Sequence, residues 1–507
     1  MKTKAIILLA TLGLISGQAS AFCGFYVAKA DATLFNQKSQ VILVRDGDRT
    51  IITMSSDFKG DVKDFAMVVP VPEVLQRNHI RIADNSIFDK LDAYSSPRLV
   101  EYHDANPCYE VLYKDKMLRM APVSMEANGF DLEEKAEADY GVTIEASYTV
   151  GEYDILILSA QESGGLKSWL TDNGYKIPAN AHEVLDPYIK DGLKFFVVKV
   201  NLDAHRMSGY NSLRPLQIAF RSPRFGLPIR LGMANATGDQ DLIVYAFTRK
   251  GRVELANYRT MEIPSNRNVP EFVQQKFGDF YRDLFKTSYK KEGGKAAFLE
   301  YAWDLSSNNF VKCDPCSTTP PDYAELREAG VFWVNNGQQN RSWGGSNYQG
   351  DLFFTRMHVR YNRKNFPQDL AFIETPNKES FQGRYIIQHA VTEDVTCDAA
   401  QDYYQTVTTR RKKELQELAA LTGWSVASHQ SYVDEYARRI TNPNGWFGED
   451  DFINKNGFDI LPATDSDNRQ KGHMVSLLAG AMSLLITLVI FAAVMFGLKQ
   501  RRNERSS

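Results

Sequence analysis

The sequence predicts a strand-rich α+β body with helices in its C-terminal half, followed by one C-terminal transmembrane helix. Three observations predict this fold class. Runs of β-branched and alternating apolar residues, separated by turn residues, fill the first half of the chain. Amphipathic helical patterns become frequent after about Asn268, and an uncharged apolar run covers Val475 to Leu498. We therefore divide the body into a strand-rich region, residues 22–265, and a mixed helical and strand region, residues 266–440.

The predicted strands are bounded by turn residues and prolines. They cover residues 40–44, 50–54, 65–69, 142–150, 153–158, 194–202, 216–220 and 242–247. Asp46-Gly47-Asp48 favours a hairpin turn between the first two strands, and Gly151-Glu152 favours a second hairpin. Pro70 and Pro72 are expected to end the strand before them, because proline cannot donate a ladder hydrogen bond.

The predicted helices combine apolar residues at helical spacing with capping residues. They cover residues 166–173, 180–190, 268–291, 399–421 and 428–439. The third of these begins with Asn268 as its cap, has Pro270 in its first turn and ends before Gly293-Gly294. Its aromatic residues fall on one face, which predicts a helix packed on the core.

Residues 1–21 have the pattern of a secretory signal peptide. Lys2 and Lys4 precede an apolar run from Ile6 to Ile15, and Ala19-Ser20-Ala21 supplies small residues for signal peptidase. The apolar run is too short to cross a bilayer. We therefore expect export, cleavage after Ala21 and a mature chain that starts at Phe22.

Residues 474–498 are predicted to form a single transmembrane helix. At about 1.5 Å per residue the uncharged run reaches roughly 36 Å, enough to cross a bilayer. The tail, residues 499–507, is basic, and the positive-inside rule places it in the cytoplasm. Residues 441–473 are rich in Asn, Asp and Gly and are interpreted as a stalk. The alternative is a sorting tail that a protease removes.

These two ends predict a single-pass membrane protein whose body lies outside the cytoplasm, on the periplasmic side of the inner membrane. The whole chain carries a formal net charge of −3, so its charge gives no case for binding nucleic acid. A mean hydropathy of −0.35 excludes a polytopic transporter. The predicted partners are the lipid bilayer, through the C-terminal helix, and a further envelope protein.

The chain has five cysteines: Cys23, Cys108, Cys313, Cys316 and Cys397. Export to an oxidising compartment favours disulfides, and an odd number leaves at least one thiol unpaired within the chain. Cys313 and Cys316 have the CxxC spacing of thiol–disulfide enzymes. A proline-containing loop follows Cys316 where such an enzyme would have a helix. We therefore favour a structural role, either a clip within the loop or bridges to Cys108 or Cys397.

His358, Arg360 and His389 form a candidate polar site. His358 and Arg360 lie in one strand-like run, residues 357–361, and His389 ends another. A histidine in a half-buried strand is more often a hydrogen-bonded structural group than a base. The sequence contains no GxSxG or HExxH motif, so no catalytic residue is assigned. A hydrolase assembled from distant segments would need a pocket that holds His358 or His389 beside a carboxylate and a hydroxyl.

No cofactor is predicted. A zinc site that joins Cys313 and Cys316 to His358, His389 or Cys397 is disfavoured, because these ligands are not closely spaced in the sequence. Phosphate-binding and calcium-binding loops lack their required residues.

Eight segments together resemble a bacterial family of secreted and membrane-anchored proteins called domain of unknown function 2330. They are residues 22–27, 65–72, 166–170, 173–178, 213–216, 227–231, 313–316 and 355–361. The resemblance covers most of the body, from about Phe22 to Cys397. It implies an extracytoplasmic location, and it implies no reaction and no catalytic residues.

The leading functional hypothesis is a non-enzymatic envelope protein whose disulfide-supported body binds or scaffolds. It rests on strong export and anchor signals beside the lack of a catalytic motif. The alternative hypothesis is a thiol–disulfide redox protein that uses Cys313 and Cys316.

Overall fold

The structure is a computed structural model that describes residues 25–26, 39–55, 66–108, 141–173, 181–208, 213–234, 238–307, 319–337 and 347–441. The predicted signal peptide, transmembrane helix and tail lie outside these residues, as does the stalk beyond Thr441. Within the described ranges, no helix is both long and apolar enough to cross a membrane.

The strands are numbered in chain order. They are β1 Phe25–Tyr26, β2 Ser39–Asp46, β3 Arg49–Met54, β4 Ala66–Val71, β5 Ile80–Ile82, β6 Arg98–His103, β7 Val142–Val150, β8 Tyr153–Ala160, β9 Lys194–Val200, β10 Leu216–Arg221, β11 Gly226–Leu227, β12 Gln240–Thr248, β13 Val253–Leu255, β14 Arg259–Glu262, β15 Arg267–Asn268, β16 Ala296–Asp304, β17 Asn335–Asn336, β18 Tyr348–Gln349, β19 Phe353–Tyr361, β20 Leu370–Glu374, β21 Phe381–Gln382 and β22 Arg384–His389.

The helices lie in both halves of the body, and the two longest are in the second half. They are α1 Ser86–Ser95, α2 Ser163–Asp172, α3 Ala181–Lys190, α4 Leu202–Ser208, α5 Phe277–Lys291, α6 Tyr323–Ala329, α7 Ala400–Thr422 and α8 Ser431–Thr441. Short 3₁₀ turns cover Arg77–His79, Gly232–Ala234, Glu271–Lys276 and Ala427–His429. The prediction of a mixed α+β body in which strands dominate is therefore confirmed.

Two large sheets form the centre of the body. The larger has the order β14-β16-β19-β12-β2-β3-β10-β5, with β21 paired to β16, and the smaller has the order β1-β4-β9-β8-β7. The larger sheet therefore contains strands from both predicted regions of the body. One compact unit of the chain ends at Ile440.

The two sheets pack face to face across one hydrophobic core. Val41, Val244 and Met357 from the larger sheet share this core with Ile155 and Phe196 from the smaller one. Helices cover the outer faces of both sheets. Helices α2 and α3 pack on the smaller sheet, and α1, α5, α6 and α7 contribute to two further cores that contain residues of the larger sheet.

Both predicted hairpins form. Strands β2 and β3 pair in antiparallel register from Asp46–Arg49 to Val41–Met54, and β7 pairs with β8 around Gly151. Gly47 and Gly151 both have positive φ angles, as these tight turns require.

Two predicted boundaries differ from the structure for identifiable reasons. Strand β4 runs through Pro70 to Val71, because its second neighbour, β1, pairs only with Met67 and Val68. Pro70 thus occupies an edge-like position, where a missing donor is tolerated. The predicted helix start at Asn268 is wrong: Val269 donates its backbone N–H to Ile386 of β22, so helix α5 begins only at Phe277.

Candidate functional site

A cluster of charged side chains lies on three neighbouring strands of the larger sheet, β12, β16 and β19. His358 of β19 is opposite Ile243 of β12 and Phe298 of β16, and Arg360 is opposite Asp241 of β12. Because side chains alternate along a strand, His358 and Arg360 share the face opposite to the core between the two sheets.

Glu300 enters this cluster at a β-bulge. The register between β16 and β19 shifts between Leu299 and Tyr301, so Glu300 is the extra residue. Its side chain is completely buried and accepts three hydrogen bonds. The donors are Arg356 Nε at 2.6 Å, His358 Nδ1 at 3.1 Å and the hydroxyl of Tyr281. The buried carboxylate is therefore fully compensated.

The imidazole of His358 bridges two carboxylates. Its Nδ1 lies 3.1 Å from Glu300 Oε1 and its Nε2 lies 3.1 Å from Asp241 Oδ1. Phe285 of α5 stacks on the ring with centroids 3.7 Å apart. Both ring nitrogens can donate only in the protonated imidazolium, so this geometry favours the charged form of His358.

Two arginines complete the cluster. Arg360 makes a bidentate pair with Asp241, with Nε–Oδ1 and Nη2–Oδ2 distances of 2.8 and 2.7 Å. Arg356 bridges Glu300 and Asp92, and its Nη1 lies 2.8 Å from Asp92 Oδ1. Each arginine therefore orients one of the two carboxylates that hold His358.

The charges shift the ionisation of the buried groups. Burial lowers the pKa of His358, but its hydrogen bonds to Asp241 and Glu300 raise it more, so the pKa lies above its usual 6.5. Burial raises the pKa of Glu300, whereas Arg356 and His358 lower it more strongly, to about 2. The pKa of Asp241 is likewise lowered, because the hydrogen bonds from His358 and Arg360 outweigh burial.

A small half-open cleft of about 190 Å³ gives solvent access to this cluster. Its lining residues are Asp241, Ile243, Gly278, Tyr281, Arg282, Phe285, Glu300, Arg356, His358 and Arg360. Helix α5 forms one wall, and Gly278 in its first turn leaves open space where a Cβ would project. The cleft can hold a small polar group against a fixed set of charges.

The cleft meets the geometric condition for a hydrolase, since it holds His358 beside carboxylates and the Tyr281 hydroxyl. However, the hydrogen bonds made by His358 and Tyr281 do not suit the chemistry of hydrolysis. A general base must accept a proton, and both nitrogens of His358 face carboxylates. Burial and the charge of Glu300 raise the pKa of Tyr281, and its hydroxyl donates to Glu300. Neither group is arranged as a base or nucleophile.

The other predicted site residues lie elsewhere. His389 on β22 stacks on His103 and its Nε2 lies 2.8 Å from Glu101 Oε2, so it makes different contacts from His358. Cys108 and Cys397 form a disulfide with a Cα–Cα distance of 5.7 Å. A bridge from the CxxC pair to either residue is therefore absent from this structure. Cys23, Cys313 and Cys316 lie outside the described residues.

Sequence reasoning missed Asp241, Glu300, Arg356 and Tyr281. Glu300 does have a signal, because it is a single acidic residue within the apolar run Ala296–Trp303. Arg356 precedes His358 by two positions, so the alternation of β19 places it on the same face. Among the residues that the structure describes, no three His, Cys, Asp or Glu side chains are placed to share a metal ion.

Comparison with known proteins gives a family match over most of the body. The family described as "Uncharacterized protein conserved in bacteria (DUF2330)" matches residues 17–373, a span that includes every residue lining the cleft. His389 and Cys397 lie beyond the matched span. No curated protein and no solved structure matches the chain significantly.

Proposed function

The chain belongs to the bacterial family DUF2330, and from this premise we propose that it is an exported, membrane-anchored envelope protein whose body binds or scaffolds instead of catalysing a reaction. The signal-peptide pattern and the apolar run before the basic tail support export and anchoring. The body then lies on the periplasmic side of the inner membrane, and the tail lies in the cytoplasm.

The disulfide between Cys108 and Cys397 is the observation that carries this proposal. It joins residues 289 positions apart, five residues after the end of β6 and three residues before the start of α7. Disulfides persist in oxidising compartments and are rare in the cytosol, where thiols are kept reduced. A disulfide that links two distant parts of the body therefore supports an extracytoplasmic location.

The hydrogen bonding of the cleft supports binding over catalysis. Its carboxylates and imidazole are held in mutual ion pairs, with Glu300 and His358 almost completely buried. Such a network fixes charges in place, and both nitrogens of His358 face carboxylates, an arrangement that does not suit a general base.

Reporter fusions test the proposed topology. Alkaline phosphatase, which folds only after export, is fused after Ile440, and a fluorescent protein that folds in the cytoplasm is fused after Ser507. We expect an active phosphatase and a fluorescent tail. Deletion of residues 2–21 is the control and should abolish phosphatase activity. Phosphatase activity without these residues, or an active phosphatase fused after Ser507, would contradict the proposal.

A second candidate is a thiol–disulfide redox protein that uses Cys313 and Cys316. This candidate is favoured because Cys108 and Cys397 are bonded to each other, so neither can form a disulfide with Cys313 or Cys316. Thiol trapping of the native protein in buffers of graded redox potential separates the candidates. Reversible oxidation of Cys313 and Cys316 near the potential of known oxidoreductases supports the redox candidate. Cysteines that stay disulfide-bonded under mild reductant exclude it.

A further inference from the structure

The cleft has more hydrogen-bond donors than its own acceptors use. Three arginines line it: Arg282, Arg356 and Arg360. Each uses Nε and one terminal nitrogen in ion pairs with neighbouring carboxylates. Their remaining terminal nitrogens, Nη2 of Arg282, Nη2 of Arg356 and Nη1 of Arg360, donate no hydrogen bond to a described residue. A guanidinium has five N–H donors, so each arginine has donors left for a ligand.

The carboxylate oxygens that line the cleft, in contrast, all accept hydrogen bonds from neighbouring side chains. Glu300 Oε1 accepts from Tyr281 and His358, and Glu300 Oε2 accepts from Arg356. Asp241 Oδ1 accepts from both His358 and Arg360, and its second oxygen accepts from Arg360. A ligand that enters the cleft therefore meets mainly N–H groups, and it must bring oxygen acceptors of its own.

Arg356 is the least exposed of the three arginines. Its side chain is 4% exposed, and the cleft includes it in its lining. Arg356 thus provides a donor on a mostly buried side chain, while Arg282 at 58% exposure provides one nearer solvent.

We propose that the cleft binds a small oxyanion group, a carboxylate or a phosphate, through the unused nitrogens of Arg282, Arg356 and Arg360. Planar guanidinium groups match these groups by paired, charge-assisted hydrogen bonds. A volume of about 190 Å³ suits such a group, or the oxyanion end of a longer molecule, and not a whole cofactor. This inference rests on the proposed binding function and names its ligand class.

Calorimetry on the full chain in detergent tests the site with two probes, sodium acetate and inorganic phosphate, against sodium chloride at equal ionic strength. We expect one-site binding of at least one oxyanion and none of chloride. Arg282→Gln should weaken that binding by about tenfold, the effect of losing one charge-assisted hydrogen bond. The matched control is Arg221→Gln, since Arg221 is also exposed and ion-paired but lies outside the cleft.

A second pair of variants tests access to the cleft without changing its charge. Gly278→Leu places a side chain in the open space at the cleft and should abolish binding. Gly164→Leu is the control, because Gly164 is also a helical glycine with open space around its Cβ position. Equal affinities in all four variants, or heat effects from the oxyanions no larger than those of chloride, would overturn the inference. The fusion experiment reports on topology independently of either outcome.

Discussion

At the scale of single residues, the charged cluster is stable because its charges balance. Three cations, Arg356, Arg360 and protonated His358, pair with three carboxylates, those of Asp92, Asp241 and Glu300. Burying an isolated charge is very costly, whereas a paired and hydrogen-bonded set is tolerated. Removing one member should therefore leave another charge buried without its partner.

His358 should make the stability of the body depend on pH. Its pKa in the folded protein is raised above 6.5, so its stabilising contribution is fully present below about pH 6.5. The contribution is lost as the pH rises through the folded-state pKa, because the neutral imidazole can donate to only one of its two carboxylates. We expect the free energy of unfolding of the wild type to fall over this range.

Urea unfolding at a series of pH values measures this effect, and His358→Gln should lose that part of the pH dependence. Nuclear magnetic resonance can follow the titration of His358 in the wild type. Its imidazole resonance is assigned as the one that is missing from the spectrum of His358→Gln. A His358 titration midpoint below 6.5 would show that burial outweighs the two carboxylates, contrary to our assignment.

The sequence indicated part of this cluster. The alternation of residues 357–361 predicts a strand that places His358 and Arg360 on one face, and the structure agrees. Their partners could not be predicted, because Asp241 and Glu300 lie more than fifty positions away. The sheet order that brings them together is not encoded in any local pattern.

At the scale of elements, helix α6 shows how local sequence and close packing act together. Asp322 and Glu325 form a capping box at its start, and Gly330 ends it with a φ angle of 100°. A Cβ on Gly330 would also lie 2.9 Å from Ile51 Cγ2. Glycine is thus required here both by the backbone angle and by the neighbouring strand β3.

Gly330→Ala should therefore destabilise the body more than Gly47→Ala. Gly47 also has a positive φ angle, but nothing lies within 4 Å of its Cβ position. The left-handed conformation costs an alanine about 1–2 kcal/mol at either site, and crowding should add about 1–3 kcal/mol at Gly330. Urea midpoints of the two variants check this difference. Equal losses would mean that β3 moves aside at little cost.

Elements with complete local signals were predicted most accurately. The β2–β3 hairpin combines β-branched strands with a glycine turn, and its predicted limits lie within two residues of those observed. The predicted helix start at Asn268 had cap and proline signals that a tertiary contact overrides. Pairing of β15 with β22 uses the backbone of Asn268, so the helix begins later.

At the scale of the whole molecule, the disulfide between Cys108 and Cys397 should contribute strongly to stability. It closes a loop of 289 positions, and cross-links restrict the unfolded chain more as the loop lengthens. The Cys108→Ser, Cys397→Ser double variant should lose about 2–5 kcal/mol in free energy of unfolding. Urea unfolding with and without reductant measures this loss.

Reductant should lower the stability of the wild type and leave that of the double variant unchanged. Ser168→Ala, Ser380→Ala is a suitable comparison, because both serines are exposed and lie outside the disulfide. If the reductant destabilised wild type and double variant equally, another disulfide of the chain would account for the effect.

The sequence by itself determined the class of the body, most of its hairpins and helices, and the family, whereas the two terminal signals stay predictions. These properties follow from local patterns, namely side-chain periodicity, turn residues and apolar run length. Tertiary structure alone decided which cysteines pair and which charges surround His358. Both depend on residues far apart in the chain, and packing of the sheets and helices, not sequence spacing, sets the distance between them.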